Sequence, residues 1–575
     1  KYLTLNKNEL IYLSMLLEDP LLKSINDVYK LRTYIFDAYY TGYLEEFKAL
    51  NQKDLYVFDD YLKTSEKINS LIDEKRQISK ESFEMELYKN ALNFANSKRI
   101  MDIKRVLESV NKPSIRNFIN TFQPEMFENV KIWMMTPEVV STIIPLEYGM
   151  FDLVIFDEAS QMYVEKGIPA IYRAKKVVIA GDPKQLRPSS LGIGRIEEED
   201  DLYENDILKD VTIDAKSLLD LARYKYHETI LNYHYRSNYE ELIAFSNAAF
   251  YDNKLIVSPN VSFGDKSPIE YVYVEEGRFS KRQNEAEARK VVEIIKKVFR
   301  ERKNNETIGV ITFNSAQRDL IENYIDEEIF KRSRYQKEFE EELFRRDNDE
   351  DKSLFVKNIE NVQGDERDII IFSMGYAKDH SGALMRRFGW LNHSGGQNRL
   401  NVAITRAKDK IYFVSSLYPE EFKVEDLKSY GPKLLKDFMR YCYFISNGNK
   451  EMAKVVLNEL HATEKVSKTV LTNKLVDEVE QKLSRFNYRI DRNIGIGTEQ
   501  IDLALFDELN NKYVLGIICD VDSSDRRINA RKDLIHQERY LKARSWEVYR
   551  ILSKNWYSDN NKEIKNIRDI LKKAN

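Results

Sequence analysis

A chain of 575 residues is longer than one hydrophobic core usually serves, so three or four domains are expected. Its hydrophobic fraction of 42% is ordinary for globular protein, and 90 basic against 94 acidic side chains leave a net charge of −4, which does not announce a nucleic-acid binder; such binding needs only a local basic track. Two cysteines, Cys442 and Cys519, exclude a disulfide scaffold or zinc ribbon; with no apolar stretch of membrane-spanning length and no signal peptide, a cytoplasmic protein without a membrane partner is expected.

Residues 1–125 read as helices, because apolar residues recur at three- and four-residue spacing among many charges, and 68–107 reads as a long antiparallel helical arm. Short β-branched runs then appear at 130–133, 153–156 and 176–180, the alternation of a parallel α/β sheet. The acidic run 197–201 reads as a solvated loop. A second α/β region carries strands at 269–274, 307–312, 369–372 and 410–414, with the charge-dense stretch 330–352 expected as an exposed helical or mobile insertion. Residues 424–463 read as helical. The last part gives a helix at 473–486, strands at 500–505 and 513–520, a helix at 529–543 and a strand at 547–551.

Several strings carry chemistry. Leu153-Val-Ile-Phe-Asp157-Glu158-Ala-Ser-Gln161 is an apolar strand ending in two carboxylates, at the sheet edge where open α/β folds place ligands. Chemistry on a nucleoside triphosphate needs one carboxylate to hold Mg²⁺ through water, here Asp157, and another to orient the attacking water, here Glu158. The next strand ends in Gly181-Asp182-Pro183-Lys184-Gln185. Four further strings follow: Asn232-Tyr-His-Tyr-Arg236-Ser237, Ile308-Gly-Val-Ile-Thr312-Phe-Asn, Asn361-Val-Gln363-Gly364-Asp-Glu366 and Leu400-Asn401-Val-Ala-Ile-Thr405-Arg406. An arginine donated across a cleft stabilises charge on a transferring phosphoryl group only when the cleft closes. His234, without a partner at catalytic spacing, reads as packing within its motif.

In this order the strings resemble the motor motifs of superfamily 1 helicases, in the subgroup of RNA-surveillance helicases and many bacterial DNA helicases, over 131–417. The resemblance implies two RecA-like domains that ratchet along a single strand, usually five-prime to three-prime. It implies that Gln185 senses the γ-phosphate, that Arg236 and Arg406 reach it from the second domain, and that Gly364 and Glu366 approach the nucleotide. Thr136, Thr312 and Asn361 would contact the nucleic-acid backbone, with a helix start at Pro137 the competing reading of Thr136. ATP and Mg²⁺ are then the cofactors, and single-stranded or partly duplex nucleic acid, DNA favoured, is the partner.

One part of such a motor is missing from the string. No P-loop of glycines plus Gly-Lys-Ser/Thr occurs, and the nearest string, Gly264-Asp-Lys-Ser267, lacks the upstream glycine. The chain opens on Lys1 in helical sequence, and an amino-terminal truncation is expected.

The last unit resembles the PD-(D/E)xK nuclease fold, near the very-short-patch-repair endonucleases, through Ile501-Asp502-Leu-Ala, Val514-Leu-Gly-Ile-Ile518-Cys519-Asp520, Ala530-Arg531-Lys-Asp533 with Gln537, and Trp546-Glu-Val-Tyr-Arg550 with Trp556. Such nucleases hold a divalent ion on carboxylates at adjacent strand ends, which would be Asp502 and Asp520. Ile518 stands where relatives of this type carry Glu, with Asp522 or Glu499 as substitutes, so a fold kept for DNA binding or packing is the competing reading.

The expected architecture is an α/β protein: a helical arm (1–125) inserted in the first RecA-like domain, the rest of that domain (126–228), a second RecA-like domain (229–423), a helical connector (424–466) and a small restriction-endonuclease-like α/β domain (467–575). The expected function is an ATP-dependent helicase or translocase in DNA repair or anti-phage defence; the alternatives are a catalytically silent nucleic-acid-binding scaffold and a metal-dependent nuclease positioned by the motor.

Overall fold

Helical periodicity in the first part of the chain builds the helices Lys7–Glu18, Val28–Leu50, Gln52–Ala95, Arg99–Glu108, Ile115–Thr121 and Gln123–Asn129 in a computed structural model. The described residues are 7–18, 20, 27–96, 98–188, 217–262, 267–331, 334–348, 350–384, 386–393, 395–460, 474–495, 500–519 and 536–574. The acidic run 197–201, the Gly264 string up to Lys266, Glu499, Asp520, Asp522 and the expected helical residues 529–535 lie outside them. Two compact units result, Lys1–Trp133 and Met134–Asn575.

The first unit has a thin core. Ile103, Ile119 and Phe122 are buried, and Arg99 fastens the short helices by an ion pair to Glu125 at 2.8 Å while its guanidinium lies 5.1 Å over the Phe122 ring.

In the second unit, β1 (Val154–Phe156) and β2 (Val177–Ile179) pair in parallel, Val154 opposite Val177. The run 130–133 forms no strand, which corrects the expectation. β-Branched composition favours extension, but a strand exists only where a neighbouring backbone completes its ladder, and none does so here among the described residues. The other strands are β3 (Ile269–Tyr273), β4 (Ile308–Thr312), β5 (Arg346–Asp347), β6 (Glu350–Asp351), β7 (Phe355–Asn358), β8 (Arg367–Ser373) and β9 (Ala407–Ser415). Five of them form a parallel sheet ordered β3-β9-β8-β4-β7. Its strands are near-continuous apolar runs because helices cover both faces. On one face Phe245, Phe372 and Phe413 pack with Leu434, Phe438 and Tyr441 of the helix Tyr430–Ser446.

The charge-dense stretch 330–352 is helical in part, as expected, but is not wholly exposed. It forms the helix Gln336–Leu343, whose Phe339 is 0% exposed against Phe299, and Glu342 pairs with Arg302 at 2.6 Å. The stripe Tyr335, Phe339, Leu343 faces the core while the charges cover its outer side.

The last unit is a four-stranded sheet, β10 (Arg489–Ile494), β11 (Ile501–Asp507), β12 (Lys512–Cys519) and β13 (Val548–Ile551), antiparallel except for the β12–β13 pair. Val479 of helix Lys474–Leu483 and Trp556 and Ile567 of helix Ser553–Ala574 cover one face, while Ile501, Ile518, Leu541 and Trp546 pack on the other. Among the described residues no helix is long and apolar enough to cross a membrane.

A buried carboxylate ties the ends of the large sheet together. Glu287 is fully enclosed and accepts from the Gly375 N–H at 2.7 Å, the Ser416 N–H and hydroxyl at 2.8 Å each, Asn284 Nδ2 at 3.0 Å and the Ser373 hydroxyl at 3.3 Å. Burial pushes its pKa up to about 7 against the pull of these donors. Replacing Glu287 by Ala leaves the donors unpaired in a dry site, and we expect a loss of about 3 kcal/mol in urea unfolding. An unchanged midpoint would show that these donors find other partners.

Candidate active site

The carboxyl end of β1 turns sharply. Glu158 adopts φ 53° and ψ 36°, a left-handed conformation uncommon for a non-glycine residue, and its N–H donates to Asp157 Oδ1 at 3.0 Å. Both carboxylates face solvent. Gln363, from the loop after β7, donates its side-chain amide to Glu158 Oε2 at 3.1 Å. The two carboxylates of the first sheet are thereby joined to the loop of Gly364, which is exposed with φ 85°.

The turn after β2 is held in the same manner. Asp182 accepts from Gln185 Nε2 at 3.0 Å and from the Tyr251 hydroxyl at 2.6 Å. Asn401 donates to that hydroxyl at 2.8 Å and to the Lys184 carbonyl at 2.9 Å, and Asn398 donates to the Gln185 carbonyl at 3.0 Å. Asn398 and Asn401 are three apart on helix Gly396–Ile404, so their amides share a face. Burial and the Asp182 charge keep the Tyr251 phenol protonated far above its ordinary range. Asn401 stood in a motif string without a task, and Asn398 was missed; the available signal was two amides at helical spacing.

The arginines occupy different settings. Arg236 pairs with Glu366 at 3.0 Å, and Lys408 holds the other Glu366 oxygen at 2.6 Å. Although burial opposes ionisation, the Lys408 hydrogen bond and the Lys408 and Arg236 charges keep the Glu366 carboxyl below the usual range. Arg406 is buried and donates to the Val402 carbonyl at 2.7 Å, the Thr405 hydroxyl at 2.9 Å and the Asp365 carbonyl at 3.3 Å. Burial and the Arg236 charge bring its pKa down to about 10, while Glu158 and Glu366 oppose the fall. Glu158, Arg236, Glu366 and Arg406 thus belong to one electrostatic neighbourhood. The exposed Asp157–Glu158 pair offers hard oxygen atoms, a donor set that suits Mg²⁺ carried in with a triphosphate.

Other expected residues are placed less directly. Thr136 caps helix Pro137–Ile143, its hydroxyl accepting from the Val139 N–H at 3.4 Å, and it remains exposed. Asn361 is exposed at the turn before Gly364. Thr312, by contrast, is 0% exposed and its hydroxyl donates to the Asn314 carbonyl at 2.9 Å, so it shapes the turn after β4 and presents no surface.

In the last unit Asp502 Oδ2 accepts from the Cys519 N–H at 2.8 Å, fastening the end of β12 to β11. Asp520, its expected companion, lies outside the described residues, and Ile518 is buried with Leu541 and Trp546. No group of three His, Cys, Asp or Glu able to hold a metal occurs among the described residues, and the carboxylates expected beside Asp502 lie outside them.

The AAA domain families match residues 45–191 (AAA_11) and 215–418 (AAA_12), and the REase_MTES_1575 family matches 476–571. An uncharacterized ATP-dependent helicase of Mycoplasma genitalium is 33% identical over 428 residues, covering 74% of this chain and 37% of that protein. Its homolog in Mycoplasma pneumoniae is 32% identical over 444 residues, 76% of this chain and 38% of that one. The probable helicase senataxin of mouse is 28% identical over 290 residues, 46% of this chain and 10% of that protein. The chain therefore spans well under half the length of these relatives.

One half-buried group gives the site a pH signature. His234 Nε2 accepts from the Ser237 N–H at 3.1 Å, and burial, then the Arg236 and Arg544 charges, hold its pKa down to about 4. The folded state needs neutral imidazole. Its contribution to stability is therefore complete above the ordinary pKa of about 6.5 and is lost as pH falls toward about 4. The urea stability gap between wild type and His234→Gln, which keeps an acceptor without the charge, is expected to narrow by up to about 3 kcal/mol over that window. A gap independent of pH would refute this account.

Proposed function

From a chain that carries the paired AAA-type helicase domains of superfamily 1 and a C-terminal restriction-endonuclease-like domain, we infer a motor that couples ATP hydrolysis to movement along single-stranded nucleic acid, with DNA the favoured track. The observation that carries this reading is the meeting of Glu158, Gln363, Arg236, Glu366 and Arg406 at the seam between the first and second sheets. DNA is favoured because a restriction-endonuclease-like fold shares the chain, which also suits work in DNA repair or anti-phage defence.

In the proposed mechanism Asp157 would hold the Mg²⁺ that accompanies ATP, whose charge would offset that of the phosphates. Glu158 orients a water for attack on the γ-phosphorus and takes its proton as the bond to the ADP oxygen breaks. Arg236 and Arg406 balance the charge that spreads over the transferring group; Gln185, bound to Asp182, reports the phosphate state to the Tyr251–Asn401 network. Glu366 holds Arg236 and Lys408 until nucleotide enters beside Gly364. Thr136 and Asn361 offer exposed contacts to the strand, and Thr312 shapes the turn after β4.

The phosphates themselves need a P-loop, which these residues do not contain. We propose that a further segment of the protein supplies it. Ile155 is 63% and Val178 48% exposed on β1 and β2, an apolar sheet surface that suits cover by additional elements. The C-terminal unit serves attachment to DNA, and no cleavage step is assigned to it.

ATP turnover by the full-length protein, with and without single-stranded DNA, tests the motor. DNA-stimulated turnover should fall at least about 100-fold in Glu158→Gln with strand binding retained. Equal turnover in the variant would remove Glu158 from the chemistry, and strand binding without any turnover would favour a scaffold. Mg²⁺-dependent nicking should be absent in wild type; nicking abolished by Asp502→Ala would instead assign cleavage to the last unit.

A further inference from the structure

The loop that presents Arg236 is gripped from two sides. From β9 of the second sheet the Ala407 carbonyl accepts from the Ser237 hydroxyl at 3.3 Å and the Lys408 carbonyl from the Asn238 N–H at 2.7 Å, and from the loop after helix Glu241–Phe250 the Ile256 carbonyl accepts from the His234 N–H at 3.0 Å. From the other side come residues of the restriction-endonuclease-like unit, roughly three hundred positions away in sequence. Arg544 donates through Nη2 to the Ser237 carbonyl, the residue after Arg236. The Tyr540 ring stacks on Tyr233 with centroids 4.4 Å apart and planes at 15°.

This contact is part of a built interface. The Trp546 indole, 2% exposed, donates to the Pro259 carbonyl at 2.8 Å, the Ser258 hydroxyl to the Tyr540 carbonyl at 3.2 Å, and the Tyr513 N–H to the Val261 carbonyl at 2.8 Å. A lone bridge between Ser262 and Lys512 extends the small sheet onto the motor, and Val261 packs with Ile501 and Trp546. The interface therefore holds its own geometry independently of Arg544 and Tyr540. Those two are the residues that reach past it to the arginine loop. A backbone carbonyl held by a guanidinium and a ring held by a stacked ring together restrict both the path and the tilt of residues 233–237.

We propose that Arg544 and Tyr540 are positioning residues for Arg236, so that the C-terminal unit sets how well the motor's arginine is placed for the phosphoryl transfer. This rests on the role proposed for Arg236 above. A guanidinium that acts on charge formed in the transition state governs kcat more than KM, and a displacement of about 1 Å is enough to cost a large factor in rate.

The test compares Arg544→Ala, Arg544→Lys, Tyr540→Leu and Tyr540→Phe with Arg236→Ala in the full-length protein, measuring DNA-stimulated ATP turnover and amide hydrogen exchange over residues 232–238. Trp546 emission reports whether the unit stays docked. With emission unchanged, Arg544→Ala and Tyr540→Leu should lower kcat about ten-fold with little change in the KM for ATP, and exchange in the loop should quicken. Arg544→Lys keeps a donor and Tyr540→Phe keeps the ring, and both should recover most of the rate. Wild-type kcat in Arg544→Ala and Tyr540→Leu beside an inactive Arg236→Ala overturns the inference and leaves the motor reading intact, whether or not the loop exchanges faster. Full turnover in Arg236→Ala overturns that reading, and this inference with it.

Discussion

The Glu287 carboxylate fixes where the large parallel sheet can end. It sits on helix Glu285–Glu301 and gathers N–H and hydroxyl donors from the segments that follow β8 and β9. Backbone donors in a dry interior need a partner, and one carboxylate supplies it for two loops at once. Gln317, which donates to the Asn284 carbonyl at 3.0 Å and to the Ser373 hydroxyl at 3.1 Å, extends the same network toward the end of β4. The carboxyl edge of the sheet is in this way a rigid platform, and ligand chemistry in open α/β folds gathers at such edges.

From this platform the second sheet meets the first through side chains. Asn398 and Asn401 hold the Asp182 turn, Tyr251 holds Asp182 itself, and Gln363 holds Glu158. The same chain stretch that carries these amides continues into Arg406, so the residues that hold the Gln185 turn and the buried arginine share one continuous segment. The electrostatics follow the same division. Glu366 is flanked by Arg236 and Lys408, while Arg406 donates to two carbonyls and a hydroxyl.

Much of this was legible in the sequence because its chemistry lies in short contiguous strings. Asp157 and Glu158 are neighbours, and an apolar run before them identifies the strand end. The α/β class was legible for the same reason, since buried parallel strands are continuous apolar runs. What was not legible depends on partners distant in the chain. The Gln363–Glu158 bond spans 205 positions. Nothing local distinguishes Thr312, buried beneath its turn, from an exposed threonine at a strand end. β10, Arg489–Ile494, escaped because its half-exposed, charge-rich sequence lacks a clean alternation. The run 130–133 misled in the opposite sense, having strand composition without a ladder.

The seam between the two sheets has a thermodynamic consequence. The contacts named across it are hydrogen bonds, with Leu186, among the described residues, the one apolar side chain that packs from the Gln185 turn into the large core. Parting such a surface exchanges protein hydrogen bonds for water and wets little hydrocarbon, so the heat capacity of opening is small. The enthalpy of parting is then nearly the same in the cold and in the warm, and the balance between parted and joined forms follows a straight van't Hoff line instead of a curved one.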